Sequence, residues 1–383
     1  MREKSRLTVV GIGADGWPGL AETARAVVLG ADVVIGAPRQ LAYLPPDVPG
    51  VPWPSPLLPG LDALLAEYEG QRVCVLASGD PFLSGVGTTL VTHGYEVEAL
   101  PAVSSVTLAR ARLGWSAEET EVVTVVGRSS ARVARVLAPG RRVLVLGADA
   151  AALRSLLTVR GYAESELFAL ENLGGPDERI SDGWTGEPGP LTVFALDCVG
   201  PALPLIGIPD DVYAHDGQLT KRDLRVSALA RLAPSPGELL WDVGAGAGSV
   251  GIEWSRLHGL NRAIAIERDP GRAERIGRNA LDLGVPELEV VTGAAPEALS
   301  ALPAPDAVFI GGGVTVPEVL DTCLATGARV VAHAVTVEAE QVLTRAYAQH
   351  GGELVRIGVE RAGPLGGFTG WTPARVVTQW SSR

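Results

Sequence analysis

The chain has 383 residues, enough for two or three domains, and at 46% hydrophobic against 5% aromatic it can bury sizeable aliphatic cores. Its formal net charge of −12 is shared between the two halves, so neither offers the basic field that a phosphate backbone needs, and nucleic acid is not an expected partner. No apolar run approaches the ~20 residues of a membrane span, and the apolar part of the N-terminus, Leu7-Thr8-Val9-Val10, is too short for a signal peptide. Cys74, Cys198 and Cys323 lie far apart and the histidines are scattered, so no metal site is expected. The cysteines read as buried small hydrophobes in a reducing compartment, and the expected location is the cytoplasm.

In chain order, Arg6 to Gly16 reads as a strand ending in Gly11-Ile-Gly13-Ala-Asp15-Gly16, followed by a helix over 21–29. These glycines match a dinucleotide fingerprint. A ribose-binding acid should end the next strand, however, and Asp32 begins it while Ile35-Gly36 ends it, which weakens a nicotinamide reading. A Pro-rich loop (45–59) and a helix (61–69) lead to a strand over 72–77. Then come Gly79-Asp80-Pro81 and Gly85-x-Gly87, a tight turn into a helix. A strand over 97–100 ends in Pro101-Ala-Val-Ser104-Ser105, whose hydroxyls suit a helix cap.

Taken in this order, Gly11-Ile-Gly13, Gly79-Asp80-Pro81 and Pro101-Ala-Val-Ser104-Ser105 resemble the tetrapyrrole methylase family. The resemblance implies two α/β subdomains, about 1–112 and 113–205, with S-adenosylmethionine folded in the cleft between them. It implies donor contacts at Gly11, Gly13, Asp80, Ser104 and Ser105. Ala109-Arg110-Ala111-Arg112-Leu113-Gly114-Trp115 extends the likeness toward enzymes acting on precorrin-6-type intermediates. Strands are expected over 121–126, 142–146, 166–170 and 191–196, with a turn-rich excursion from Glu171 to Gly189. Arg128 is a candidate for a substrate carboxylate, with an exposed surface arginine as the alternative.

The Pro/Gly-rich stretch Val199 to Asp211 marks a boundary, placed after residue 205. Thr220 reads as the cap of a helix with Asp223 three residues on. Lys221, Arg222 and Arg225 are then candidate cations for an acidic substrate, or plain solvated helix residues. The most informative stretch follows. Leu239 to Val243 is a buried strand running into Gly244-Ala245-Gly246-Ala247-Gly248, then a helix from Ser249, then a strand ending in Glu267. A glycine turn lets a ligand approach the helix's first amides, and a carboxylate at the next strand end can accept from a ribose diol. The spacing alone also admits a nicotinamide or flavin cofactor, or a turn that binds nothing.

With Asp242 opening the glycine run, the pattern resembles class I S-adenosylmethionine-dependent methyltransferases, and Thr220-Lys-x-x-x-Arg225 resembles their precorrin-decarboxylating branch. The resemblance implies a second donor site at Thr220, Gly244, Ala245, Gly246, Ala247, Gly248, Glu267 and Ala295. The acid common after the third strand is replaced by Ala294, leaving adenine to backbone groups, and His333 stands where related enzymes often carry Asn. Further strands are expected within 289–297, a strand and its loop, and within 305–313, ending in glycines, then over 329–332 leading into His333–Glu338, over 354–360 and over 376–380.

The two resemblances together imply an α/β chain: a tetrapyrrole methylase domain (1–205) fused to a Rossmann-like class I domain (206–383). They point to the fused decarboxylating precorrin methyltransferases of cobalamin biosynthesis. That implies methylation of a precorrin at carbons 5 and 15 with loss of the ring C acetate carboxyl, one S-adenosylmethionine site per domain, no metal, and a homo-oligomer. No motif assigns a catalytic acid or base. A nicotinamide-dependent oxidoreductase and a non-catalytic nucleotide-binding protein are the alternatives.

Overall fold

Short runs of consecutive aliphatic residues, such as Val73-Cys74-Val75-Leu76-Ala77, become strands buried on both faces, as parallel sheets require. A computed structural model describes residues 6–183 and 188–382. The chain divides into two units. One holds the chain up to Ser130 and Leu137–Pro201, the other Ala131–Val136 and everything from Ala202 onward.

The first unit contains two sheets. Strands β1 (Arg6–Ile12), β2 (Val33–Gly36), β3 (Gly50–Pro52), β4 (Val73–Ser78) and β5 (Glu96–Leu100) form a parallel sheet in the order β3-β2-β4-β1-β5. Strands β6 (Thr120–Thr124), β7 (Arg142–Leu146), β8 (Glu166–Glu171), β9 (Arg179–Asp182) and β10 (Thr192–Asp197) form a second, mostly antiparallel sheet in the order β6-β7-β10-β8-β9. Ser104 caps the helix Ser105–Leu113, its Oγ accepting from the Thr107 amide at 3.1 Å. Asp32, at the start of β2, is engaged by Arg72 at 2.7 and 3.2 Å, and these hydrogen bonds hold its pKa down to about 2. It is an ion-pair partner at the amino ends of β2 and β4.

The second unit is a seven-stranded sheet. Strands β11 (Leu239–Val243), β12 (Arg262–Glu267), β13 (Glu289–Thr292), β14 (Ala307–Ile310) and β15 (Arg329–Ala334) run parallel. Of the remaining strands, β16 (Glu353–Ile357) and β19 (Val377–Ser381) complete the order β13-β12-β11-β14-β15-β19-β16, with β19 antiparallel to both neighbours. This is a Rossmann-like sheet. A hairpin, β17 (Glu360–Leu365) and β18 (Phe368–Pro373), stands outside it.

Four strands were not foreseen. β3 is a three-residue edge strand inside the Pro-rich loop, where Pro52 needs no ladder donor. β9 lies inside the excursion read as turns, of which 184–187 fall outside the described residues. The hairpin β17–β18 shows no buried alternation because both its faces are exposed, Phe368 at 84% and Trp371 at 71%.

Candidate active sites in the two units

In the first unit, the ends of β1, β4 and β5 are laced together. The Gly79 amide donates to Ile12 O at 3.0 Å and the Ala102 amide to Gly79 O at 3.1 Å. Gly11 sits where these backbones cross, and a Cβ there would meet Gly79 O at 1.9 Å. Gly11 therefore builds the site from beneath and does not line the cavity. Gly13, Asp80, Ser104 and Ser105 do line it. The cavity, about 400 Å³, takes its other wall from the second subdomain through Val126, Leu146, Asn172 and Thr192. Asp80 Oδ1 accepts from the Phe82 amide at 2.8 Å, fixing the turn that precedes Gly85. Ser84 and Asn172, both in the lining, hold left-handed backbone at φ 55° and 49°. Such strained positions cluster at ligand sites. Arg112, from the likeness motif, binds Glu178 at 2.5 and 3.0 Å, and Glu178 also accepts from the Gly174 amide at 2.7 Å. This pins the excursion to the helix Ser105–Leu113. Arg128 is exposed.

Sequence reasoning missed Arg39 and Gln40 in this lining. Gln40 accepts from the Ala37 amide at 2.8 Å and donates to Ser78 Oγ at 3.1 Å, while Arg39 donates to the same Oγ at 3.0 Å. The signal available was Arg39-Gln40 following a fully apolar strand by two residues.

In the second unit, the glycine turn leaves β11 with φ +67° at Gly244 and +61° at Gly246. A Cβ at Gly244 would meet Gly312 O at 2.7 Å, and one at Gly246 would meet Gln218 O at 2.6 Å. The turn thus fits closely between two loops. Glu267, 4% exposed, accepts from the Gly246 amide at 2.9 Å and the Asp269 amide at 3.0 Å. A carboxylate offers roughly four acceptor positions, so two remain for a ribose diol. Two cavities adjoin here. One, about 360 Å³, is lined by Glu267, Arg268, Arg272, Ala294, Ala295 and Gly311–Gly313. The other, about 400 Å³, is lined by Thr220, Lys221, Ala245, His333, Arg361 and Arg375. Gln218, Gly244, Gly246 and Gly311 belong to both. Small residues and a buried carboxylate on one side fit an adenosyl donor. Ala247 and Gly248 line neither cavity. Ala247 is buried in the core, and Gly248, at φ +76°, packs against Ile276 as the helix Ser249–Leu257 begins.

Two expectations about Thr220 and its neighbours are corrected. The helix is Arg222–Leu232 with Lys221 at the cap position, and the amide of Arg222 donates to Asp210 Oδ1 at 3.0 Å. Thr220 is not the cap; its carbonyl accepts from Arg225. Arg225 does not face a substrate. It is fully buried, 2.6 Å from Glu253 and 3.3 Å from Asp210, with its guanidinium 5.0 Å from the centre of the Tyr213 ring. Glu253 also accepts from the amides of Gly207 and Ile208 at 2.7 and 2.9 Å, so this cluster fastens the Pro/Gly stretch onto the unit.

His333 is buried beside the second cavity, edge-on to Phe309, and burial lowers its pKa to about 4. With its amide turned so that nitrogen faces the ring, Gln379 donates to His333 Nε2 at 2.8 Å and accepts from Arg231. Asp242 is fully enclosed. Its Oδ2 accepts from the Gly251 amide at 2.9 Å, and its Oδ1 has no partner among the described residues. Burial raises its pKa to about 7, against the Gly251 hydrogen bond, with the Glu267 charge adding to the rise. A carboxyl with a raised folded-state pKa stabilises the fold while protonated. That contribution is full below about pH 4 and is lost as pH rises through 7. Asp242→Asn keeps an acceptor for Gly251 and removes the titration. The wild-type chain should therefore lose stability relative to Asp242→Asn between about pH 4 and 7, and run parallel above that. Urea midpoints of both proteins across this range check it, and a pH-independent difference would contradict it.

Fold and cavities define a two-part methyltransferase, and the comparisons with known proteins agree. The tetrapyrrole (corrin/porphyrin) methylase pattern matches residues 6–188, and the precorrin methyltransferase domain matches residues 211–383. The chain is 46% identical to precorrin-6Y C(5,15)-methyltransferase [decarboxylating] of Sinorhizobium sp, covering 98% of this chain and 95% of that one. It is 44% identical to the protein of the same name from Mycobacterium tuberculosis (strain CDC 1551 / Oshkosh), covering 98% and 99%. A crystal structure of the C-terminal domain of precorrin-6Y C5,15-methyltransferase from Rhodobacter capsulatus matches 47% of this chain and 99% of its own at 45% identity, with a TM-score of 0.45. The chain belongs to the family of decarboxylating precorrin-6Y C(5,15)-methyltransferases.

Proposed function

We propose that the chain methylates a precorrin-6 intermediate at carbons 5 and 15 and removes the ring C acetate carboxyl as carbon dioxide, giving a precorrin-8 in cobalamin biosynthesis. The first unit acts at carbon 5 and the second at carbon 15, each with its own S-adenosylmethionine site. The observation that carries this reading is the pair of adjoining cavities in the second unit, which share Gly244, Gly246 and Gly311. A donor in one and a macrocycle in the other meet across the glycine turn.

The bound donor supplies an electrophilic methyl group. The chain's contribution is positioning, which can lower a barrier by ~7–11 kcal/mol. Glu267 holds the turn and the ribose. Lys221, Arg361 and Arg375 line the second cavity and suit the carboxylate side chains of a precorrin. Carbanion character left by loss of carbon dioxide spreads over the conjugated macrocycle, so the site needs no metal. Among the described residues no helix is long and apolar enough to cross a membrane. We expect a homo-oligomer, which size-exclusion chromatography with light scattering would test.

Glu267→Ala should remove charge-assisted hydrogen bonds worth roughly 1.5–3 kcal/mol, about a 10- to 150-fold loss of donor affinity at the second site. Calorimetric titration with S-adenosylhomocysteine measures this. Unchanged affinity at both sites would remove Glu267 from the donor site. Conversion of the precorrin substrate, followed by mass spectrometry for two added methyl groups and one lost carbon dioxide, tests the whole reading.

A further inference from the structure

The cavity of the first unit is walled mainly by apolar and small residues, including Trp53, Leu57, Leu76, Val103 and Leu173. Among the described residues, two charged side chains line it, Arg39 and Asp80. Asp80 gives one of its acceptor positions to its own turn through the Phe82 amide and keeps the rest for the cavity. Arg39 is different. It is half-buried, and no carboxylate among the described residues pairs with it. Among the described residues its one hydrogen bond goes to Ser78 Oγ, which is itself held by Gln40. Gln40 is 5% exposed and locked to the Ala37 amide. The guanidinium is thus aimed by a fixed relay at the end of β4, one residue before Gly79-Asp80. Four of its five N–H donors remain free. A half-desolvated cation with free donors in an apolar cavity is short of one thing, an anion with planar, two-pronged geometry.

We infer that Arg39 is a specificity-determining residue of the carbon 5 reaction, which binds a carboxylate side chain of the tetrapyrrole in bidentate fashion and so sets which edge of the macrocycle enters. The inference rests on the proposed activity of the first unit. Two carboxylates can reach this cavity, one on the macrocycle and one on the amino acid end of the methyl donor, and the geometry favours the macrocycle. Ser104, Ser105 and the Gly13 turn already offer hydroxyls and amides to a donor, whereas the precorrin brings several carboxylates and finds one cation here.

The test uses the full chain with Arg39→Gln and Arg39→Lys. Methylation at carbons 5 and 15 is followed separately by labelling the transferred methyl with carbon-13 and reading both positions by NMR. Arg39→Gln should raise KM for the precorrin in the carbon 5 reaction by roughly 10- to 150-fold, the range for lost charge-assisted bonds. Arg39→Lys keeps the charge but loses the fork, and should recover part of that loss. Donor affinity, titrated with S-adenosylhomocysteine, and methylation at carbon 15 should stay at wild-type values. An unchanged KM in both variants overturns the inference, as does a fall in donor affinity with KM intact, which would assign the guanidinium to the donor's carboxylate. Wild-type enzyme that transfers no methyl to carbon 5 would instead defeat the underlying functional reading, and the wild-type control separates the two.

Discussion

Arg225→Ala should destabilise the second unit by about 3–5 kcal/mol, the usual cost of stripping one partner from a buried ion pair. Both side chains of the pair are fully buried. Without the guanidinium, Glu253 keeps a buried charge facing the amides of Gly207 and Ile208 and the hydroxyl of Tyr213. A simple buried pair is often recovered by replacing both members with apolar residues. Here recovery should fail. In Arg225→Met/Glu253→Leu the Gly207 and Ile208 amides lose their acceptor, and each unmade buried hydrogen bond costs roughly 1–3 kcal/mol. Urea unfolding followed by tryptophan fluorescence reports the unit through its buried Trp241, Trp254 and Trp380. A double variant as stable as wild type would show that the cluster is a mere ion pair and not the clasp of the 199–211 stretch.

Gly11→Ala should slow transfer to carbon 5 by on the order of 100-fold while sparing carbon 15. The added methyl would lie 1.9 Å from Gly79 O and 2.5 Å from the Ala102 nitrogen, both backbone atoms. Neither can move without breaking the hydrogen bonds that lace β1, β4 and β5. Overpacking of this kind costs about 1–3 kcal/mol or more. Its larger effect is on geometry, since a shift of ~1 Å at a transfer site costs on the order of 100-fold in rate. Carbon-13 methyl labelling of the product checks this. Equal loss at both carbons would mean that the two reactions depend on one another or that the chain has unfolded, and a thermal melt tells those apart.

The sequence carried the parts of this molecule that repeat a local rule. β11, the glycine turn, the helix Ser249–Leu257 and β12 follow from apolar runs, positive-φ glycines and a strand-end acid, and they stand where the spacing puts them. Ser104 caps its helix as its hydroxyl suggests. What the sequence hid depends on distant partners. Arg225 sits at the right place in a helix to be a solvated cation, and nothing local says that Glu253, 28 residues on, will enclose it. Thr220 looks like a cap because its side chain and spacing allow it, but Asp210 takes that work from the other side of a loop. The hairpin β17–β18 has no apolar alternation to read, so Arg361 went unnoticed, as did Arg375 in the connection after it, until the fold brought them to the second cavity. Arg39 was missed for the same reason: its meaning lies in Ser78, 39 residues away.

The central claim is that one chain holds two separate methyl-transfer centres. Titrating the full chain with S-adenosylhomocysteine by calorimetry tests it most directly, with Glu267→Ala alongside. The account predicts two sites per wild-type chain, and in the variant one site with wild-type affinity and one weakened about 10- to 150-fold. A single site in the wild-type chain, or two sites weakened together by Glu267→Ala, would contradict it.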